Sequence, residues 1–169
     1  MKAKLIVEGK EFDIDILDPK LQELIKPEKK TGYERADKKS HYYFVDADGV
    51  LNGYDADEYD DVDSIYYEIA NYYSDKAVAE NNARADRLMR QLRRFAAENK
   101  KIELDWSNTD QDKWFIYYDN ENKGMFYNNN TFCKSYGIIY FDSRETAELA
   151  AKTFHDELIW YFTKYKDSL

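Results

Sequence analysis

The chain has little with which to build a covalent or metal-held scaffold. Its single cysteine, Cys133, leaves no intrachain disulfide to form, and one cysteine with two distant histidines, His41 and His155, falls short of a zinc ligand set. Six glycines, all standing singly, exclude a glycine-rich phosphate loop. No run approaches the ~18 apolar residues of a membrane span, and no secretory core follows Met1, so the expectation is a soluble cytoplasmic chain. Excess basic charge is missing as well. With 34 acidic against 25 basic side chains, a net −9 over 169 residues, the chain is no general nucleic-acid binder. What it does hold is 43% apolar residues, including 16 tyrosines, enough to bury a core and to exclude disorder throughout.

The charge is local. Residues 40–75 carry ten acids and no Lys or Arg, whereas residues 76–101 carry eight bases against three acids. A block of one sign this long is either a solvated acidic surface or a device for meeting a basic partner.

Hydrophobic periodicity predicts an α+β chain. Phe12, Ile14 and Ile16 alternate with Asp13 and Asp15 after a Gly9-Lys10 turn, which reads as a hairpin. Asp18 and Pro19 then open a short helix carrying Leu21, Leu24 and Ile25. This ββα element occupies residues 1–26, and the charged, apolar-poor stretch 27–39 reads as a linker. Residues 40–101 form a first βββα unit, with strands at Tyr42–Val45, Val50–Tyr54 and Ser64–Ala70. Its helix runs from a Ser74 or Asp75 cap to about Asn99, with Ala77, Val78, Ala85, Leu88, Met89, Leu92, Phe95 and Ala96 on its inner stripe. Residues 102–169 form a second unit, with strands at Lys113–Tyr118, Met125–Tyr127 and Gly137–Phe141, and one helix after Asp142 or Ser143. The junction Tyr72-Tyr73-Ser74-Asp75 superposes on Tyr140-Phe141-Asp142-Ser143 at an offset of 68, the sign of a tandem repeat.

No catalytic motif survives inspection. Placing Gly49 or Gly53 at the sixth position of a calcium loop leaves apolar or aromatic residues at ligand positions, so Asp46-Ala47-Asp48-Gly49 is no EF-hand. Two constellations remain. The first is Asp55, Asp57, Glu58, Tyr59, Asp60, Asp61 and Asp63, followed by Tyr66 and Tyr67. Its carboxylates can stand in for nucleic-acid phosphates in an Arg/Lys-lined groove while the tyrosines add contact area. The second is Arg84, Arg87, Arg90 and Arg94, with Arg93 beside them, on the helix face opposite the apolar stripe and suited to phosphate or an acidic partner. The acidic loop also admits a reading as a divalent-metal enzyme site, and Trp160 or Phe162 one as a homodimer contact.

Several segments carry a resemblance: Met1-Lys-Ala-Lys-Leu-Ile-Val-Glu-Gly-Lys-Glu-Phe12, Lys30-Thr-Gly-Tyr-Glu-Arg35, Tyr42-Tyr-Phe-Val-Asp46, Asn71-Tyr-Tyr-Ser-Asp-Lys76, Leu92-Arg-Arg-Phe-Ala-Ala97, Tyr140-Phe-Asp-Ser143 and Asp156-Glu-Leu-Ile159. Together they resemble small accessory proteins encoded by phages, prophages and conjugative elements of Gram-positive bacteria, over nearly the whole chain. The resemblance implies a bacterial host and a counter-defence role such as direct inhibition of a CRISPR effector nuclease, and it carries over no catalytic residue. The expectation is therefore a non-enzymatic, anti-CRISPR-like DNA mimic without metal or cofactor. The alternative is a nucleic-acid-binding accessory protein using the arginine face.

Overall fold

Alternation along His41–Val45 turns Tyr42 and Phe44 to one side, and both are buried. The computed structural model that shows this describes residues 2–7, 10–15, 17, 30–56 and 61–165. The chain divides into two units, Met1–Thr31 and Gly32–Leu169. The expected helix after Asp18 lies outside the described residues.

In the first unit, β1 (Lys2–Val7) and β2 (Lys10–Asp15) pair antiparallel, from Lys2 opposite Asp15 to Val7 opposite Lys10. Lys4 and Glu11 form a cross-strand ion pair at 2.6 Å. Of the expected inward residues, Ile14 is half-buried and Phe12 stays 48% exposed.

The second unit is α+β, with β3 (His41–Val45), β4 (Leu51–Asp55), α1 (Asp61–Glu68), α2 (Lys76–Asn99), β5 (Lys113–Asp119), β6 (Gly124–Asn130), α3 (Arg144–Thr153) and α4 (His155–Thr163). Its sheets are two-stranded antiparallel hairpins, β3–β4 and β5–β6. Each hairpin gains one further antiparallel bridge, Tyr43 to Tyr73 and Trp114 to Phe141. Each bridging residue stands two places before a helix cap: Asp75 accepts the Ala77 and Val78 N–H groups, and Ser143 accepts that of Thr146. Tyr73 with Phe141 and Asp75 with Ser143 keep the 68-residue offset read in the sequence.

Four expectations need correction. The strand placed at 64–70 is the helix α1. Its Ile-Tyr-Tyr run is β-prone, but Asp61 and Asp63 favour a helix N-terminus, and a helical turn lets Tyr66 stack on Phe44 at 4.2 Å. The strand place is taken by the Asn71 side chain, which accepts the Val45 N–H and donates to the Val45 carbonyl. The strand placed at 137–141 reduces to the single Phe141 bridge, since Gly137 sits at φ +75° and Tyr136 is fully exposed. The single C-terminal helix is two, broken at Phe154 (φ −110°, ψ 24°), whose ring meets Phe95 edge-on at 5.7 Å. Finally, Gly32–Lys39 is no free linker. Gly32 accepts the Ser74 N–H, Ala36 donates to the Tyr72 hydroxyl, and Asn82 donates to the Tyr33 hydroxyl. A Cβ on Gly32, at φ +90°, would lie 2.7 Å from Val78 Cγ2, so only glycine lets the segment approach α2 this closely.

Among the described residues, two clusters form the core of this unit. Tyr42, Phe44, Ala56 and Tyr72 pack under the first hairpin, with Tyr42 and Tyr72 stacked at 4.1 Å. Leu88, Leu92, Phe141, Ala147, Ala150, Ala151 and Leu158 join α2, α3 and α4. Because α2 packs on the first hairpin as well as on α3 and α4, its buried face is wider than the expected stripe. Ala79 and Ala83 are buried, whereas Ala77 is exposed. Lys113 opens β5 with no exposure at all, its ammonium donating to the Asn108 and Thr131 carbonyls and lying 5.3 Å from the Trp106 ring. Asp142, just before the α3 cap, accepts the Lys101 and Ile102 N–H groups and so ties the end of α2 to the start of α3. Burial pushes the Asp142 carboxyl up, but these N–H groups and the Thr146 hydroxyl outweigh it and hold it below the usual carboxylate range.

Candidate functional site

The acid-rich window supplies β3, β4 and α1, so its carboxylates are distributed over a hairpin and a short helix. Asp48, Asp55, Asp61 and Glu68 are exposed. Asp55 ends β4 opposite His41, with its carboxylate 3.0 Å from His41 Nδ1. In the β3–β4 turn, Asp46 accepts the Val50 N–H and the Asn52 amide. A hydrogen bond shared with Asp48 holds the Asp46 carboxyl below its usual range. The same bond, with the neighbouring negative charge, pushes Asp48 up. Asp57, Glu58, Tyr59 and Asp60 lie outside the described residues.

Two members of the expected acidic surface turn inward. Asp63 is only 6% exposed and accepts the Tyr42 hydroxyl. Tyr66, one helical turn further along α1, packs against the core beneath the hairpin. Tyr67 keeps 41% of its surface, with the Arg35 guanidinium 4.5 Å from its ring centre.

An exposed stripe of α1 beside this inward face carries what the sequence reading missed. Val62, Ile65 and Ile69 are 45%, 55% and 63% exposed, at i, i+3 and i+7. Ile69 lies just past α1 but donates its N–H to the Ile65 carbonyl, so it continues the same helical stripe. Asp61 and Glu68 stand on the same short helix. The 62/65/69 spacing is the helical signal, and the β-prone Ile65-Tyr66-Tyr67 run competes with it.

The arginine face of α2 is largely engaged with the chain's own groups. Arg84 meets Glu157 in a two-pronged pair at 2.7 and 2.9 Å and lies 4.0 Å over the Trp160 ring. That pairing raises the Arg84 pKa and lowers that of Glu157. Arg87 donates to the Gly49 carbonyl at 3.1 Å, and Arg94 stands 3.9 Å from Glu98. Arg87 and Arg90 line a cleft of about 530 Å³ whose other wall includes Asp46 and Asp48, so the helix faces an acidic turn of the same chain. Arg93 is exposed.

The aromatic residues read as a dimer contact have partners within the chain: Trp160 under Arg84, and Phe162 stacked on Tyr118 at 6.0 Å. Cys133 is exposed, and His155 Nδ1 lies 3.0 Å from Asp156. Among the described residues no three His, Cys, Asp or Glu side chains converge to hold a metal ion. No helix among them is long and apolar enough to cross a membrane. In comparisons with known proteins, the chain matches no family model, no curated protein and no solved structure.

Proposed function

We propose that the chain is a non-enzymatic binding factor of a phage or mobile element that occupies the Arg/Lys-lined nucleic-acid groove of a host defence nuclease, in the manner of an anti-CRISPR inhibitor. The observation that carries the reading is the outer side of α1, where exposed Val62, Ile65 and Ile69 share a short helix with Asp61 and Glu68, inside a window of ten acids and no bases. Protein interfaces combine apolar anchors, which supply affinity, with complementary charge, which speeds encounter and selects the partner. Carboxylates at this density compete with phosphates for basic side chains, and such competition weakens as salt rises. The resemblance to mobile-element accessory proteins supplies the class of partner. The arginine-face alternative is less well supported, because Arg84 and Arg94 stand against Glu157 and Glu98 and Arg87 is bonded to Gly49.

The test uses a purified CRISPR effector nuclease from a Gram-positive host and measures displacement of its DNA by the full chain at several salt concentrations. Displacement should weaken with salt and fall at least about tenfold when Asp57, Glu58, Asp60 and Asp61 are changed together to their amides, with a smaller loss for Ile65→Ser. Displacement indifferent to both salt and these changes overturns the mechanism, and no displacement at low salt overturns the assignment of partner. A gel shift at low salt that is abolished by Arg87→Glu and Arg94→Glu would establish the alternative in its place.

A further inference from the structure

The second half of the molecule holds a pocket, partly open to solvent, that its own side chains do not fill. Leu88, Met89 and Leu92 of α2 face Ile116 of β5 and Leu158 and Phe162 of α4 across a cavity of about 280 Å³. Protein interiors rarely leave a gap larger than a water molecule, and an apolar cavity of ~150 Å³ is already able to take up benzene. No charged side chain lines this one. Tyr136 and Tyr161 are the only lining residues with a polar side-chain group, so most of the wall is suited to an apolar guest.

The solvent-exposed part of the lining includes the 136–138 segment. Tyr136 is fully exposed and Ile138 is 36% exposed, both on the cavity wall, and between them Gly137 sits at φ +75° with nothing within 4 Å of where a Cβ would be. This is the stretch expected to be a strand, and it pairs only through Phe141. The wall here is thus solvent-facing and not part of a paired sheet, in keeping with a pocket that is partly open.

From volume, lining and access together, we propose that this cavity is a binding site for a small uncharged apolar molecule, of the size of one aromatic ring with a short alkyl chain. The same observations select against other guests. A fatty acid or an anionic metabolite has no cation in the lining to meet its charge, and a nucleoside would leave its polar edge unpaired. The site is separate from α1 and does not depend on the function proposed for that helix.

The experiment uses the full chain with n-butylbenzene as probe and 4-butylbenzoate as its charged analogue, following thermal unfolding and the methyl NMR signals of Leu88, Ile116 and Leu158. A ligand that binds only the folded state raises the unfolding temperature with concentration. n-Butylbenzene should do so and shift these methyl signals, and 4-butylbenzoate should do neither. Met89→Trp fills the space and should weaken n-butylbenzene binding at least about tenfold, with Ile116→Phe as a second filling variant if the first does not fold. Failure of the folded parent chain to bind n-butylbenzene overturns the proposal. So does binding that survives both filling variants, or a concentration-dependent dimer in which a second copy covers the mouth.

Discussion

Replacing Tyr42 by Phe removes one oxygen from beneath the first hairpin while leaving the ring that packs there. Tyr42 has 0% of its surface exposed, stacks on Tyr72 at 4.1 Å, and donates its hydroxyl to Asp63, which is 6% exposed. The ring contacts survive the change, so the loss is that of a buried hydrogen bond to a carboxylate, about 1.5–3 kcal/mol. Urea unfolding of a domain of this size has a slope of about 2 kcal/mol per molar, so a loss of about 2 kcal/mol lowers the midpoint by about 1 M. Asp63→Asn probes the other end of the bond, and the double variant should lose less than the sum of the two single losses because the two sites share one interaction. If Asp63 instead faced solvent, as a continuous acidic surface requires, both single changes would fall within about 0.5 kcal/mol of the parent. A Tyr42→Phe midpoint within about 0.25 M of the parent chain, at unchanged slope, would refute the placement of Asp63 in the core.

Two further outcomes test how the helices are held. Asp75→Ala removes the cap that takes two N–H groups at the start of α2 and should cost about 1 kcal/mol, read as a fall of about 2–4 °C in thermal unfolding followed by circular dichroism. Asp142→Asn weakens the tie between α2 and α3 and should cost about 1 kcal/mol at neutral pH. Because the folded-state pKa of Asp142 is depressed, its contribution is fully present above the unfolded carboxylate pKa of about 3.9 and is lost as pH falls through the lower folded value. The gap between the parent and Asp142→Asn should therefore hold from pH 7 to about pH 5 and narrow below about pH 4 in denaturation curves. A gap that widens on acidification would contradict the depressed value.

The parts of this protein that were legible in its sequence are those whose signal is local. The β-prone aromatic runs at Tyr42–Val45 and Lys113–Tyr118 mark strands, and Asp75 and Ser143 before helical stripes mark caps. Each of these follows from side-chain direction or from a hydrogen bond within a few residues along the chain. The charge window was equally plain, being a matter of counting, although its four central residues Asp57–Asp60 lie outside the described structure. What misled was competition between local preference and distant packing. Ile65-Tyr66-Tyr67 prefers a strand by itself, yet Phe44, some twenty residues earlier, offers Tyr66 a stacking surface that only a helical turn can reach.

Composition, cap chemistry and periodicity by themselves determined an α+β chain with antiparallel hairpins, two capped helices and charge concentrated in one window, because those features depend on neighbours along the sequence. Only the tertiary structure decided that Asp63 is interior, that Val62, Ile65 and Ile69 face outward, that Arg84 is paired to Glu157 and that a cavity remains between α2 and α4. The physical reason is that burial and pairing belong to groups brought together across the fold, and no spacing within a segment states which distant side chain will arrive opposite it.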